Sequence, residues 1–267
     1  MLKADLHIHS TVSDGSATIA EIVEEAVIKS LDAIAITDHD TLSQLKQLPE
    51  TGRVKIIPGL EISAVDKRNN MRVHILGYHI QDPEAVERLT RPVLEARHQN
   101  TLRQIAILKE HGFEIDLSKL RPADGKYLYK QHVMDYLVTT GQAAEMFGDF
   151  YMKTFKNNGI CHFDIAYTDA FDAVEAIKNA GGLAVLAHPG QQQNYYLIPE
   201  LKRRGLDGLE CNHHSHSAED RLTIKKYAEL YGLFMTGGSD YHGKYEPQEE
   251  GIGDVLSEES GVIALCS

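Results

Sequence analysis

The chain has 267 residues, of which 42% are hydrophobic and 25% are charged, and its formal net charge is −12. A chain of this length and composition can bury a sizeable core, either as one large domain or as one domain with an insertion. The acidic balance argues against an extended duplex nucleic-acid partner, because such binding depends on lysine and arginine neutralising many phosphates. Small phosphorylated substrates are compatible with it, since bound cations can invert the local potential.

Hydropathy and cysteine spacing predict where the protein works. No run approaches the ~20 apolar residues that a membrane span needs, and no signal-peptide pattern precedes the first predicted strand. The three cysteines, Cys161, Cys211 and Cys266, have no paired spacing, so neither a disulfide framework nor a thiolate metal site is predicted. We therefore expect a cytoplasmic protein with no membrane partner.

Predicted strands and helices alternate through residues 1–82. KADLHI is predicted to be a strand, and the helical run IAEIVEEAVIKS follows it behind a capping box formed by Thr18 and Glu21. DAIAIT is an apolar run typical of a buried strand, and VKIIPGLEIS and MRVHILGY are predicted as two further strands.

Residues 83–158 interrupt this order with helical periodicity, in EAVERLTRPVLEARHQNTLRQIAILKEHG and then in KQHVMDYLVTTG. The alternation resumes near residue 159 with the helices FDAVEAIKNAGG, LIPELKRRG and SAEDRLTIKKYAELYG and the strands LAVLA, GLEC and LFMTGG. This pattern predicts an α/β parallel sheet or barrel built from residues 1–82 and 159–267, with a helical insertion at 83–158.

The first predicted strand separates apolar from ligand-type side chains. Strand alternation puts Leu6 and Ile8 on one face and Asp5, His7 and His9 on the other. Taken alone, a His-x-His pair at a strand end is more often hydrogen-bonded or solvated than bound to a metal.

Further ligand-type residues lie in or just after the other predicted strands, which is where α/β barrels assemble their active sites. They are Asp14, His39, Glu61, His74, His188, Asp240 and His242. Imidazoles with carboxylates, and no thiolates, suit zinc, manganese or iron in a site that keeps open positions. Because these residues and the His7–His9 pair exceed the coordination of one ion, at least two metals are predicted, with Glu61 as the candidate bridging ligand.

The ordered set of motifs resembles the PHP family, named for polymerase and histidinol phosphatase. The matching pieces are Asp5-Leu6-His7-Ile8-His9-Ser10, Thr37-Asp38-His39, Gly59-Leu60-Glu61, His74, His188-Pro189 and Ser239-Asp240-Tyr241-His242. The resemblance covers about residues 1–82 and 160–267. It implies a distorted (β/α)7 TIM-like barrel whose trinuclear metal centre hydrolyses phosphate esters.

The resemblance also implies how the ligands are shared. The first metal would take His7, His9, Glu61 and Asp240; the second Glu61, His74 and His188; and the third Asp14, His39 and His242. Catalytic roles fall to Glu61, Asp240 and His242. Asp5 and Asp38 fit two roles, accepting the distal N–H of a ligating histidine or capping loop backbone, and we weigh these equally.

The insertion resembles that of a subgroup that includes nucleoside 3′,5′-bisphosphate phosphatases and a related 5′-to-3′ exonuclease. Gly208-Leu209-Glu210 and Thr236-Gly237-Gly238-Ser239-Asp240 match later segments of that subgroup. Its Arg-Pro-His step is Lys130-Gln131-His132 here, which replaces a bidentate phosphate fork with a point charge. The resemblance implies an insertion that caps the active site, with Lys130 and His132 facing a second phosphate.

Arg97 and His216 are further candidates for substrate contact, although a solvated helix face is the ordinary interpretation of a lone basic residue such as Arg97 or Lys130. The other histidines, His213 and His214 among them, are expected to be hydrogen-bonded or exposed.

The predicted function is hydrolysis of phosphate monoesters by metal-activated water, with two to three divalent ions of manganese, zinc or iron. The expected substrates are nucleotides, such as nucleoside 3′,5′-bisphosphates or short oligonucleotide ends. A histidinol-phosphate or other small-metabolite phosphatase is the alternative. A non-enzymatic metal-binding module is disfavoured by the intact ligand set. An amidohydrolase-type deaminase, which also has His-x-His after its first strand, is disfavoured because no lysine lies at a strand end.

Overall fold

The computed structural model describes residues 2–49, 52–120, 126–245 and 251–266. Its strands are β1 (Ala4–Ile8), β2 (Ala33–Ile36), β3 (Lys55–Asp66), β4 (Met71–Tyr78), β5 (Thr168–Asp169), β6 (Leu183–Leu186), β7 (Gly208–Asn212) and β8 (Phe234–Gly237). They form one sheet in the order β1-β2-β3-β4-β6-β7-β8, and β5 pairs with β3. The backbone N–H of His9 donates to the carbonyl of Tyr241 at 2.9 Å, which brings the end of β8 beside β1. The sheet is therefore a nearly closed barrel, and the predicted TIM-like fold is confirmed.

The helices are α1 (Ile19–Ile28), α2 (Pro83–Glu110), α3 (Lys130–Thr139), α4 (Asp149–Phe155), α5 (Ala170–Asn179), α6 (Pro189–Gln192), α7 (Ile198–Arg203), α8 (Ala218–Tyr231) and α9 (Glu259–Cys266). The capping box at the start of α1 is present, with Thr18 and Glu21 each accepting from the other's backbone N–H. The sequence did not predict α4, α6, α9 or β5, because each is too short for a clear periodicity. Within the described residues, no helix is long and apolar enough to cross a membrane.

One strand runs against the predicted direction. β4 is antiparallel to both β3 and β6, whereas β1-β2, β2-β3, β6-β7 and β7-β8 are parallel. Only residues 67–70 join β3 to β4, and a parallel connection needs a crossover of about a dozen residues. The reversal puts the first half of β4 at the carboxyl ends of the parallel strands, which is how His74 reaches that edge.

The length of β3 positions Glu61. Ile36, the last residue of β2, pairs with Pro58, so the second half of β3 extends past the end of β2. Glu61 therefore lies beyond β2, where it forms an isolated parallel bridge with His39.

Simple alternation does not hold to the end of β1. Leu6 packs in a core cluster with α9, whereas Ile8 packs in another cluster with α1. The pairing register with β2 shifts between Asp5 and Ile8, which changes the direction of the later side chains.

Residues 105–161 have a hydrophobic cluster of their own, which includes Leu108, Met134, Leu137 and Phe155. The predicted boundaries of the insertion, 83–158 between 1–82 and 159–267, stay a prediction. The insertion contacts the barrel through Tyr129, whose hydroxyl donates to the carbonyl of His39 at 3.2 Å.

Candidate metal centre and adjoining cavity

Four side chains converge after β1, in β3 and after β8. The Nε2 atoms of His7 and His9 lie 3.2 Å apart. Each lies within 3.4 Å of Glu61 Oε2 and within 3.2 Å of Asp240 Oδ1. Ligands bound to one tetrahedral ion at ~2.0–2.2 Å are separated by ~3.3 Å. These separations match the spacing expected around one ion, and the four residues are those expected for the first metal.

Glu61 faces a different set of histidines with each oxygen. Oε1 lies 2.9 Å from His74 Nδ1 and 3.0 Å from His188 Nε2. Oε2 lies 3.2 Å from His39 Nδ1, in addition to its contacts with His7 and His9. This split is the geometry that a bridging carboxylate requires.

A looser cluster surrounds Asp14. Its Oδ1 lies 3.5 Å from His242 Nε2 and 3.8 Å from His9 Nδ1, and its Oδ2 lies 3.9 Å from His39 Nε2. His39 therefore stands between two clusters, with Nδ1 toward Glu61 and Nε2 toward Asp14. The sequence placed His39 beside Asp14 and did not predict its contact with Glu61.

The donor set fits divalent cations. Among the described residues, no hydrogen bond satisfies the buried atoms His9 Nδ1, Asp14 Oδ1 and Asp240 Oδ1. A buried polar atom without a partner costs ~1–3 kcal/mol. Cations among these carboxylates would supply the missing interactions.

Electrostatics keep the carboxylates of the centre ionised. Burial opposes ionisation of Glu61, but the imidazoles of His74, His39 and His7 outweigh it and hold the pKa of Glu61 well below its usual range. Burial likewise opposes ionisation of Asp240, and His7 and His213 hold the pKa of that carboxyl well below its usual range. Burial lowers the pKa of His39 to about 3, which favours the neutral imidazole. Ionised carboxylates and neutral imidazoles are the forms that bind cations. The same carboxylates outweigh burial and raise the pKa values of His7, His9 and His188, so a bound cation would displace protons from these imidazoles.

Three of the nine non-glycine residues with positive φ among the described residues lie at this site. Asp40, His188 and Asp240 have φ values of 60°, 24° and 52°. Such values are uncommon outside glycine, and they cluster at functional sites where the surroundings hold them in place.

Two further residues support the clusters, and the sequence did not single them out as such. Glu210 Oε1 lies 2.9 Å from His7 Nδ1, and its Oε2 accepts the backbone N–H of His188 at 2.8 Å. His213 Nε2 lies 3.3 Å from Asp240 Oδ2. Both follow the rule that polar residues at strand ends face the site, because Glu210 is in β7 and His213 directly follows it.

Asp5 and Asp38 cap loops. Asp5 accepts hydrogen bonds from His7 N, Ser239 N, Ser239 Oγ and Gly253 N. Asp38 accepts from the backbone N–H and the hydroxyl of both Ser10 and Ser13. Of the two roles considered, loop capping is the one observed. The imidazole-accepting role belongs to Glu210.

Two of the predicted substrate contacts border one cationic cavity of about 190 Å³. Its polar and charged walls include Arg72, Arg97, Lys130, Gln131, Lys156 and His162. The Nη2 atom of Arg97 donates to Asp40 Oδ2 and to Ser63 Oγ, both at 2.9 Å. Lys130 Nζ lies 5.7 Å from the ring centre of Tyr151. Burial, with the nearby charges of Lys156 and Arg72, lowers the pKa of Lys130 to about 8.

His132 does not line this cavity. It lines a second cavity, of about 480 Å³, together with Asp135, Lys244 and Tyr245. Its Nδ1 accepts the backbone N–H of Tyr129 at the start of α3. Lys130 and His132 thus line different cavities, because residues two apart on a helix do not face the same side. The expected phosphate contact of His132 stays a prediction.

His216 has a structural role. Its Nδ1 contacts the carbonyl of Cys211 at 2.9 Å, and its Nε2 accepts the backbone N–H of Gly190 at 3.1 Å. Both ring nitrogens are engaged between β7 and α6. The expected substrate contact by His216 stays a prediction.

Clustered carboxylates and imidazoles at the carboxyl edge of a distorted barrel are typical of metal-dependent hydrolases. The PHP domain model matches residues 5–184 of the chain. The chain belongs to the PHP family.

Three relatives span nearly the same length. A phosphoribosyl 1,2-cyclic phosphate 1,2-diphosphodiesterase of Eggerthella lenta is 41% identical over 90% of this chain and 94% of that protein. A 3′,5′-nucleoside bisphosphate phosphatase of Chromobacterium violaceum is 29% identical over 92% and 89%. The 5′-3′ exoribonuclease Rnm of Salmonella typhimurium is 30% identical over 89% and 84%.

Two solved structures are similar to this chain in fold. A Bifidobacterium adolescentis protein described as a metal-dependent phosphoesterase has a TM-score of 0.87 and 28% identity, covering 98% of this chain and 94% of that one. An amidohydrolase from Chromobacterium violaceum with bound sulfate has a TM-score of 0.78 and 27% identity, covering 94% and 90%. The protein is a metal-dependent phosphoesterase, a hydrolase of phosphoric esters that uses divalent metals, and the predicted family and reaction class are confirmed.

Proposed function

We propose that the protein hydrolyses a phosphate ester of a small ribose compound that carries a second phosphate group, and that this second phosphate binds in the cavity of Lys130. The supporting observation is a pair of half-buried lysines, Lys130 and Lys156, in the cavity wall. Within the described ranges, no carboxylate lies at ion-pair distance from either ammonium group. Asp164, the acidic residue of this wall, is exposed and lies 3.7 Å from Arg72, and its charge only partly offsets the effect of burial on the two lysines. Removing a cation from water without a paired anion is unfavourable, and a bound phosphate supplies that anion.

The cavity shares its wall with the metal centre. Gln131 lines the cavity and donates to Asp14 Oδ2 at 2.8 Å. Arg97 also lines it, and the Ser63 hydroxyl that Arg97 contacts lies 3.2 Å from His39 Nδ1. These two contacts place the cavity next to the metal centre, and the proposal assigns the second phosphate to Lys130 and the ester to the metal centre.

Two substrates have the required pair of phosphate groups. Nucleoside 3′,5′-bisphosphates are the first candidate, expected from the insertion and named for the Chromobacterium violaceum relative at 29% identity. Phosphoribosyl 1,2-cyclic phosphate is the second, and the 41% identity over 94% of the Eggerthella lenta relative favours it. Lys130 in place of a bidentate arginine also separates this chain from the nucleotide subgroup.

The proposed metal ligands are the side chains of the three clusters described above. His7, His9, Glu61 and Asp240 form the first set, and Asp14, His39 and His242 form the third, with His9 also within reach of it. The second set is Glu61, His74 and His188, with His39 beside it. Two to three ions of manganese, zinc or iron suit these donors.

When bound, such ions supply an activated water and neutralise charge on the reacting phosphoryl group. Glu61 directs Oε2 toward the histidines of the first set and Oε1 toward those of the second set. Glu210, whose pKa is lowered to about 2 because His7 outweighs the opposing effect of burial, accepts the Nδ1–H of His7. That bond leaves His7 Nε2 as the ligating atom. The His242 Nδ1–H donates to the carbonyl of Asp240 at 2.7 Å and likewise leaves Nε2 facing the site.

The test compares substrates with and without the second phosphate. The first pair is phosphoribosyl 1,2-cyclic phosphate and ribose 1,2-cyclic phosphate; the second is adenosine 3′,5′-bisphosphate and p-nitrophenyl phosphate. Losing a hydrogen bond to a charged group costs ~1.5–3 kcal/mol, so we expect Lys130→Ala to lower kcat/KM by about 10- to 100-fold for the two-phosphate member of a pair only.

Lys153→Ala is the matched control, because Lys153 is an exposed lysine of α4 that pairs with Asp149 and does not line the cavity. An equal loss on both members of a pair contradicts the proposal. So does a wild-type preference for histidinol phosphate over every two-phosphate substrate.

A further inference from the structure

One contact ties the insertion directly to the loosest of the three clusters. Gln131, in the first turn of α3, donates its Nε2–H to Asp14 Oδ2 at 2.8 Å. This is the shortest polar contact of the Asp14 side chain among the described residues. The next shortest, between Asp14 Oδ1 and His242 Nε2, is 3.5 Å.

The contact makes the two oxygens of Asp14 different. Oδ2 accepts from the Gln131 amide and lies 3.9 Å from His39 Nε2. Within the described part of the chain, Oδ1 is buried without a hydrogen bond and faces His242 and His9. Rotation about the terminal bond of an aspartate would exchange its oxygens. A fixed amide donor on Oδ2 opposes this rotation and keeps Oδ1 directed at His242 and His9.

We propose that Gln131 is a positioning residue, which holds Asp14 as a single-oxygen ligand and thereby sets the affinity of the third site for a divalent cation. The inference rests on the proposed third set, Asp14, His39 and His242. Hydrogen-bonding partners of metal ligands typically contribute 10- to 100-fold to metal affinity. This insertion residue therefore acts on the metal centre without touching the ion.

The experiment is a titration of metal-free protein with Mn²⁺, with the free ion measured by electron paramagnetic resonance. Gln131→Met keeps the length of the side chain and removes the donor. We expect it to weaken the last Mn²⁺ bound by about 10- to 100-fold and to leave the tighter ions unchanged. Activity is not the readout, because Gln131 also lines the cavity.

Gln104→Met is the matched control. Gln104 is a buried glutamine of the same cavity wall, and its Nε2 donates to the carbonyl of Cys161 at 2.7 Å rather than to a metal ligand. We expect this variant to retain the affinity for the last Mn²⁺. An equal weakening in both glutamine variants identifies a general disturbance of the insertion and overturns the proposal.

His242→Ala separates failure of the inference from failure of the site. If wild type binds three Mn²⁺ and His242→Ala binds two, the third site exists, and unchanged affinity in Gln131→Met then overturns the role of Gln131 alone. A wild-type count of two that His242→Ala leaves unchanged overturns the third site and this inference together. Gln131→Ala, with its fold checked by thermal melting, is the second variant should the methionine variant misfold.

Discussion

His39 and Glu61 lie side by side at the carboxyl edge of the barrel, with His39 Nδ1 3.2 Å from Glu61 Oε2. The backbone reinforces this pairing, because the N–H of Asp40 donates to the Glu61 carbonyl at 2.8 Å. Since the same carboxylate contacts His74 and His188 through its other oxygen, Glu61 is the common neighbour of both sets of histidines.

Replacement of Glu61 tests its central position. Glu61→Gln keeps the volume of the side chain and removes its charge, so we expect phosphoesterase kcat to fall by about 10²–10³-fold or more. Bound metal, measured by elemental analysis, should fall with it. Glu229→Gln, on the exposed face of α8, is the control. Near-normal turnover at saturating Mn²⁺ would show that Glu61 is dispensable.

Metal removal tests the cofactor requirement. We expect two to three divalent ions per chain, loss of phosphoesterase activity on chelation and recovery on addition of Mn²⁺. The physical reason is that the carboxylates and imidazoles of the centre cannot activate water without a cation. Elemental analysis measures the number of bound ions, and an assay before and after chelation measures the loss of activity. One ion or none, with activity that chelation leaves intact, would contradict the expectation.

Glu210 is expected to act through His7. Glu210→Ala removes the acceptor of the His7 Nδ1–H and should weaken binding at the first set by about 10- to 100-fold. Glu210→Gln keeps an oxygen that can accept this bond and should restore part of the affinity. Mn²⁺ titration compares the variants with His7→Ala, which should be the most affected. The idea fails if the alanine and glutamine variants bind Mn²⁺ equally.

The lowered pKa of Lys130 predicts a pH dependence. Burial, with the charges of Lys156 and Arg72, puts this pKa at about 8, so the lysine is charged below that pH and loses its charge as the pH rises through it. Because kcat/KM reports the free enzyme, the ratio of kcat/KM for a two-phosphate substrate to that for p-nitrophenyl phosphate should decline above about pH 8. Lys130→Arg should abolish the decline, since arginine stays charged throughout. A decline that persists in this variant points to another group.

Much of the site is local in origin, and the sequence predicted it on that basis. His7, His9, His39, Asp240 and His242 each lie at or just after the end of a strand whose apolar run is visible in the sequence. Since the carboxyl ends of parallel strands meet at one edge, strand recognition was enough to bring these residues together. The helical periodicity of residues 83–110 likewise predicted most of α2.

Other features depended on packing between distant parts of the chain. The contacts of His7 with Glu210, of Asp14 with Gln131 and of Asp240 with His213 are set by side-chain directions that no local pattern encodes. The reversal of β4 follows from a short connection, and it is what brings His74 to Glu61. Lys130 and His132 separate because helix geometry turns residues two apart to different sides. The type of a residue and its position at a strand end are properties of a short segment of sequence. The side chains that it contacts depend on how distant segments pack, and only the folded chain specifies this packing.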